Sequence, residues 1–316
     1  MLVEQLGLKN IRLEVQDCSN VDFGDQKFDY IICHGVFSWV PPQVQDKILE
    51  LCQRALDPRG VAYISYNTRP GWNMRATIRD MMQYHTATLG DPQTRIDQAR
   101  AVLEFFANSV PTDGNAYGMM LKAELTQLQK QADAYMFHDH LEDVNDPIYF
   151  QEFMSRARAA GLDYLGEADL GVVWLGNLPP KSAEVLRGAA NNVVKMEQYM
   201  DFIRNRLFRR TLLCHAGVKI QRNLSVRGLE GRYFAANLKL LDSEAELKSA
   251  AVVRFQHGRQ NIISTAAPVT KVALRILATL WPQSIQFEDL VKKAKCRFLR
   301  MRNAHFDFLD HIKELA

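Results

Sequence analysis

The stretch FDYIICHGVFSWVP, Phe28 to Pro41, runs an apolar segment straight into a loop of small, polar and aromatic residues. Cys33, His34, Gly35, Val36, Phe37 and Trp39 offer there a thiol, an imidazole, open backbone and two aromatic faces. His34 is a candidate general base, although a lone histidine beside a strand end more often serves as a structural donor. Cys33 and Cys18 lack the His and Asn spacing of a nucleophilic cysteine enzyme and read as small buried hydrophobes. Tyr66 and Asn67 close a second apolar run, VAYISYN, where a terminal polar residue is more often a site or a cap than packing. Trp39 and Trp72 lie beside proline-rich turns, where an aromatic either lines a pocket or wedges a loop. A further concentration, FHDHLEDVND, packs His138, Asp139, His140, Glu142, Asp143 and Asp146 into ten residues. Its spacing fits neither an EF-hand loop nor HExxH, so no metal is assigned. Asp146 before Pro147 reads instead as the start of a helix over PIYFQEFMSRARAAG, with Gly161 as its stop.

These residues need a frame. IRLEVQD, Ile11 to Asp17, alternates apolar and polar and predicts a strand, while FDYIIC predicts a strand buried on both faces of a parallel sheet. PPQVQDKILELCQRAL places Val44, Ile48, Leu51 and Leu56 at helical spacing after a proline entry, and DPRG then turns the chain into VAYISYN. Strand, helix, strand implies a parallel sheet with right-handed crossovers, whose ligands sit beyond the carboxyl ends of the strands. Three loops then face one crevice: residues 17–19, 33–39 and 65–72.

Composition narrows the classes. The chain has 316 residues, 39 Lys and Arg against 36 Asp and Glu, and a net charge of +3. That balance gives no electrostatic case for nucleic acid as the main partner. Five cysteines without a CxxC pair suit free thiols in a reducing cytosol, so the expected location is cytoplasmic. No apolar run approaches the ~18 residues of a membrane span, and the opening MLVEQLGLKN has no signal-peptide pattern. After about Gly217 short strand patterns with Gly turns give way to two helices broken at Trp281-Pro282, a plausible winged helix. Lys292, Lys293, Lys295, Arg297, Arg300 and Arg302 lie on its last helix, where such runs are usually a solvated face.

The run from FDYIIC through ALDPRGVAYISYNTRPGW resembles the fourth and fifth strands of class I S-adenosylmethionine-dependent methyltransferases. CHGVFSWVP, YISYNTRPGW, HLEDVNDPIYFQEFMSRARAAGLDYLGEADL and DFIRNRLFRRTLLCH, in that order, are similar to bacterial protein lysine methyltransferases with a methyltransferase regulatory domain and a C-terminal winged-helix-like domain. The resemblance covers nearly the whole chain. It implies a partial Rossmann-like class I sheet with a helical cap over about Arg75 to Phe137, and LDYLGEADL and RRTLLCHAG as the last two strands. It divides the chain into residues 1–95, part of the core; 96–217, the regulatory region; and 218–316, the winged-helix-like domain. The cofactor implied is S-adenosyl-L-methionine, held by Asp17, Cys18, Cys33, Gly35 and Val36. Tyr66, Asn67 and His34 would act on the acceptor amine, and Phe37, Trp39 and Trp72 would channel the lysine of a protein substrate, with room for a homodimer. The acid-rich string would position its segment over the site. No Gly-rich first turn is found, so the chain is expected to begin just before the third strand, as a truncation or as half of a split enzyme. The alternative is a non-catalytic regulatory or partner-binding remnant.

Overall fold

The computed structural model describes residues 2–169, 171, 173–190, 192–222, 226–258 and 261–314, with side chains of the last helix described through Met301. Two compact units meet at Ile220 and Gln221.

The first unit opens with a single-turn helix α1 (Leu2–Gln5) and an extended stretch before β1 (Phe28–Cys33). Then come α2 (Pro42–Ala55), β2 (Leu56–Asn67), α3 (Gly71–Thr86), α4 (Pro92–Ser109), α5 (Ala116–Leu128), α6 (Asp133–Leu141), α7 (Phe150–Ala159) and β3 (Leu162–Glu167). The unit ends with α8 (Pro180–Ala189), α9 (Val193–Arg204) and β4 (Phe208–His215). The sheet order is β1-β2-β4-β3, with β1 and β2 parallel and β4 antiparallel to both neighbours. This is the α/β, Rossmann-like arrangement the resemblance implies, with the parallel β1 and β2 pair that the alternation of elements predicts.

Local sequence explains the elements. Pro42 sits in the first turn of α2, where its missing N–H costs nothing, and Ile48, Leu49, Cys52 and Ala55 face the sheet. The DPRG turn survives inside β2: Phe28 pairs with Leu56 and Tyr30 with Val61, so the intervening residues loop out of register. The sheet core joins Phe37, Ile64, Tyr66, Phe150, Phe153 and Leu213. Residues of α3 to α6, including Ile78, Met82, Leu103, Leu121 and Leu141, close a separate core. Arg100 separates α5 from α6, donating to the carbonyls of Leu128 (2.7 Å) and Gln131 (2.9 Å) and to Asp133 (2.9 Å).

Three expectations are corrected. Residues 11–17 form no strand, and Ile11, Leu13 and Val15 are exposed. A strand needs a neighbour for its backbone groups, and among the described residues none lies beside this one. Tyr30 and Ile32 are exposed, so β1 is covered on one face only. The helix after Pro147 begins at Phe150, because Ile148 is held extended by bridging to Thr68.

The second unit holds β5 (Tyr233–Phe234), β6 (Leu238–Leu240), β7 (Val253–His257), β8 (Asn261–Thr265), α10 (Pro268–Leu280), β9 (Ile285–Gln286) and α11 (Phe287–Glu314). β6, β7 and β8 form an antiparallel sheet, and β5 pairs with β9. Val253, Phe255, Val272 and Ala294 anchor its core. Lys271 is buried there, its ammonium donating to the carbonyls of Ser249 (2.8 Å), Glu246 (3.3 Å) and Ala251. Lys292, Lys293, Lys295, Arg297 and Arg300 are exposed on α11; the Arg302 side chain lies outside the described residues.

Candidate active site

The carboxyl ends of β1 and β2 carry most of the residues singled out above. Gly35 turns the chain with φ +67°, and a Cβ built on it would meet nothing within 4 Å, so its backbone is open to close approach. Its N–H donates to Ser65 Oγ (2.8 Å), which ties the loop to β2. His34 Nδ1 lies 2.9 Å from Tyr63 Oη and 3.2 Å from Ser65 Oγ. His34, Gly35 and Val36 are exposed, and Cys33 is half-buried.

The aromatic residues separate by burial. Phe37 is fully buried, edge-on to Phe153 at 5.3 Å, so it belongs to the sheet core and offers no face to a substrate channel. Trp39 keeps exposed surface and packs on the His138 ring at 4.1 Å and edge-on to Trp72 at 6.4 Å. Trp72 is 3% exposed and lines a cavity of about 250 Å³.

Tyr66 is also corrected. It is 1% exposed, and Thr211 Oγ1 donates to Glu167 (2.9 Å), which leaves the Tyr66 hydroxyl to donate to Thr211 (3.0 Å). Burial raises its pKa well above the ordinary tyrosine value, so the phenol stays neutral and faces away from the loops. Asn67 ends β2 and is 5% exposed. Its N–H donates to Ser38 Oγ (2.9 Å), its carbonyl accepts from Ile148 N (3.2 Å), and its Nδ2 donates to Asn145 Oδ1 (3.0 Å).

Asp17 is exposed in a turn, accepting from Ser19 N at 2.8 Å, and Cys18 packs beside Cys33 on the sheet core. Burial first, and the neighbouring Cys18 second, push the Cys33 thiol up to about 11. It is a protonated thiol at neutral pH, unsuited to nucleophilic attack.

The acid-rich string is expected to position its segment over the site, but sequence reasoning missed the bonds by which it straps the crevice. Asp146 N donates to Ser38 O (2.8 Å), Thr68 Oγ1 to Ile148 O (2.7 Å), and Gln45 Nε2 reaches Asp146 Oδ2 at 3.5 Å. Residues 145–148 thus bind the loops after both strands. Also missed was a buried ion cluster beside Tyr66. Arg209 forks onto Asp201 (2.8 and 2.9 Å), reaches Glu197 (3.1 Å) and Glu167, and lies 3.7 Å over the Phe150 ring. Arg206 adds a bond to Asp201 at 3.0 Å.

A family model described as a methyltransferase domain matches residues 2–137, and a predicted methyltransferase regulatory domain matches 132–215. The structure of PKMT2 from Rickettsia typhi is similar at 35% identity and a TM-score of 0.79, over 98% of this chain and 61% of that one. By sequence and fold, this chain is similar to class I methyltransferases. PKMT2 in complex with AdoHcy is similar at 34% identity and the same TM-score of 0.79, covering 98% of this chain and 62% of that one. An uncharacterised protein of Rickettsia prowazekii (strain Madrid E), RP789, is 44% identical over 303 residues, 93% of this chain and 54% of RP789. The chain therefore spans little more than half the length of its curated relative. The strap falls within the span matched by the regulatory-domain model, and the end of β2 within the span matched by the methyltransferase-domain model.

Proposed function

We propose that this chain takes part in S-adenosylmethionine-dependent methyl transfer to lysine side chains of a protein. The observation that carries the reading is the convergence at the sheet's carboxyl edge. There the open backbone of Gly35 and the polar end of β2 meet under the regulatory strap. PKMT2 binds AdoHcy with a similar fold, which supports placing the cofactor here. The residues fit: residues 33–36 are accessible or half-buried, and Gly35 leaves room for a ligand against the main chain.

S-Adenosylmethionine would supply an electrophilic methyl group on a sulfonium. The protein's own task is then to align an amine and exclude water, with little covalent machinery. Lysine has a solution pKa of about 10.4 and attacks only as the neutral amine, so an apolar wall that penalises the ammonium favours the reactive form. Trp39 provides that wall. Asn67 orients the amine: its Nδ2 is engaged by Asn145, which turns Oδ1 into the group that accepts from an incoming N–H. His34, held at Nδ1 by two hydroxyls, shapes the loop. Among the described residues no Gly-rich turn joins a strand to a helix, so weak cofactor affinity is part of the proposal.

The test is an amide-resolved titration with AdoHcy to millimolar concentration, paired with transfer of labelled methyl to a lysine-rich protein and to the same protein with its lysines blocked. Shifts at residues 33–36 and label confined to free lysine are expected. Binding that leaves residues 33–36 unmoved overturns the placement, label on the blocked protein overturns lysine, and no binding at all overturns the cofactor reading for this chain.

A further inference from the structure

Beside the strap, the first two turns of α3 and the segment 145–147 enclose the cavity of about 250 Å³ that Trp72 lines. Its polar wall is Arg69, Asn73, Arg79, Asp80 and Asn145. Neither the family likeness nor the proposed role of Asn67 accounts for three features of it.

The first is an orphaned donor. Asn145 uses its Oδ1 on Asn67, and its Nδ2 is buried without an acceptor among the described residues. A buried amide N–H without a partner is costly, typically 1–3 kcal/mol, and its persistence next to a cavity points to an oxygen that belongs there. The second is a free cation. Arg69 is exposed on the rim, and among the described residues no carboxylate lies within ion-pair distance of it. The third is helix direction. α3 runs for 16 residues from Gly71 and sets its positive end beside the Trp72 and Asn73 wall, although the N–H groups of Gly71, Trp72 and Asn73 already donate to the carbonyls of Arg206 (3.1 Å), Thr68 (3.2 Å) and Pro70 (2.9 Å).

The other charges do not cancel this. Arg79 directs its guanidinium at the carbonyls of Asp139 (3.4 Å) and Glu142, and Asp80 is its neighbour on the helix, with an attraction that favours the guanidinium charge. Asp80 adds an exposed carboxylate to the wall, while Arg69 and Asn145 Nδ2 are donors without a partner among the described residues, beside a volume suited to one small group.

We infer that this cavity is a carboxylate subsite, in which Arg69 and Asn145 Nδ2 hold an acidic group that flanks the methylated residue of the acceptor protein. A guanidinium fork matches both carboxylate oxygens, while the amide N–H fixes one of them. The assignment of an acceptor rests on the proposed function, since the same Asn145 that holds the carboxylate also holds Asn67. The flanking acid would thus set the register of the acceptor chain at the site.

Binding can be read without any transfer. The full chain, with asparagine side-chain amides labelled and Asn145 assigned through Asn145→Ala, is titrated with the probe Ac-Lys-Glu-NH2 and with Ac-Lys-Gln-NH2. The Asn145 amide resonance is expected to move saturably with the glutamate probe, with affinity at least about tenfold above the glutamine probe, and Arg69→Gln is expected to remove about tenfold of it. Arg69 is exposed, so this variant retains the fold. Ac-Lys-Gly-OH separates sources: preference for it assigns a chain terminus, and preference for the glutamate probe assigns an acidic side chain. Equal binding of the glutamate and glutamine probes, or an unmoved Asn145 resonance, overturns the subsite. If the subsite binds while AdoHcy does not, the methyl-transfer reading fails and the subsite stands; the reverse result sinks the subsite alone.

Discussion

The sheet and the helical layer of the first unit bury polar groups in opposite ways. In the sheet, Arg209 is fully buried with Glu167, Glu197 and Asp201 around it and Phe150 beneath it. In the helical layer, His140 on α6 is also fully buried, yet neither ring nitrogen has a hydrogen-bond partner among the described residues. The charges that act on it, after burial itself, are Arg75 and Arg79, both of its own protonated sign. The difference teaches where geometry is held. Around Arg209 a dense network of ion pairs cross-links β3, α9 and β4, which fixes their side chains. Helices α3 to α6 share an apolar core, and their arginines, Arg79 and Arg100 among them, bond to backbone carbonyls and leave His140 out.

The strongest way to break the contrast is Arg209→Met. Three carboxylates would lose their main counter-ion in a site with almost no water, and removing one partner of a buried ionic cluster costs about 3–5 kcal/mol. Chemical denaturation of the full chain should show that loss in the transition of the first unit. A cost under about 1 kcal/mol would mean that the cluster is solvated and that the sheet is not held by it.

The second test addresses His140. Burial, and then Arg75 and Arg79, lower its pKa from the ordinary 6.5 to about 3. The unfolded chain therefore binds a proton as pH falls through 6.5, while the folded chain stays neutral until about 3. The sign follows: stability is fully present above 6.5 and falls with acidification by about 1.4 kcal/mol per pH unit. His140→Leu should flatten that slope between pH 6.5 and 5 and raise stability at pH 5 by roughly 2 kcal/mol. Parallel slopes in wild type and variant would place a hidden partner on the imidazole.

Little of this contrast was legible in the sequence, while the frame was. The strand, helix, strand unit over residues 28–67 was readable because periodicity and proline entry are local, and the last two strands followed from the family resemblance. The Arg209 cluster was not, because Glu167, Glu197 and Arg209 come from β3, α9 and β4 and share no spacing. The acid-rich string is expected over the site, but Asn145 was hidden inside it because a lone amide among acids carries no spacing signal. Phe37 and Tyr66 were placed in the site by their position in matching motifs, but the alternation of strand and loop turned both rings into the core. Residues 11–17 show the converse: a clean alternating pattern does not make a strand without a neighbour to pair with.

Tyr66→Phe sharpens the sheet half at smaller scale. It removes only the bond to Thr211, with an expected cost of about 1 kcal/mol. Because the hydroxyl faces Thr211 and not the loops, methyl transfer should be unchanged, whereas Asn67→Ala should lower it. Loss of transfer in Tyr66→Phe with stability intact would return the phenol to the site.

The smallest effect belongs to the outer surface of the helical layer. Tyr84 on α3 and Phe105 on α4 are 88% and 63% exposed and face a shared groove. If apolar contact in this layer is confined to its interior, Tyr84→Gln and Phe105→Gln remove little buried area, and each should change stability by under about 0.5 kcal/mol. Differential scanning calorimetry at two protein concentrations reads the result. A larger loss that shrinks on dilution would show that a second copy covers the groove, because the wild type alone would then gain stability from association.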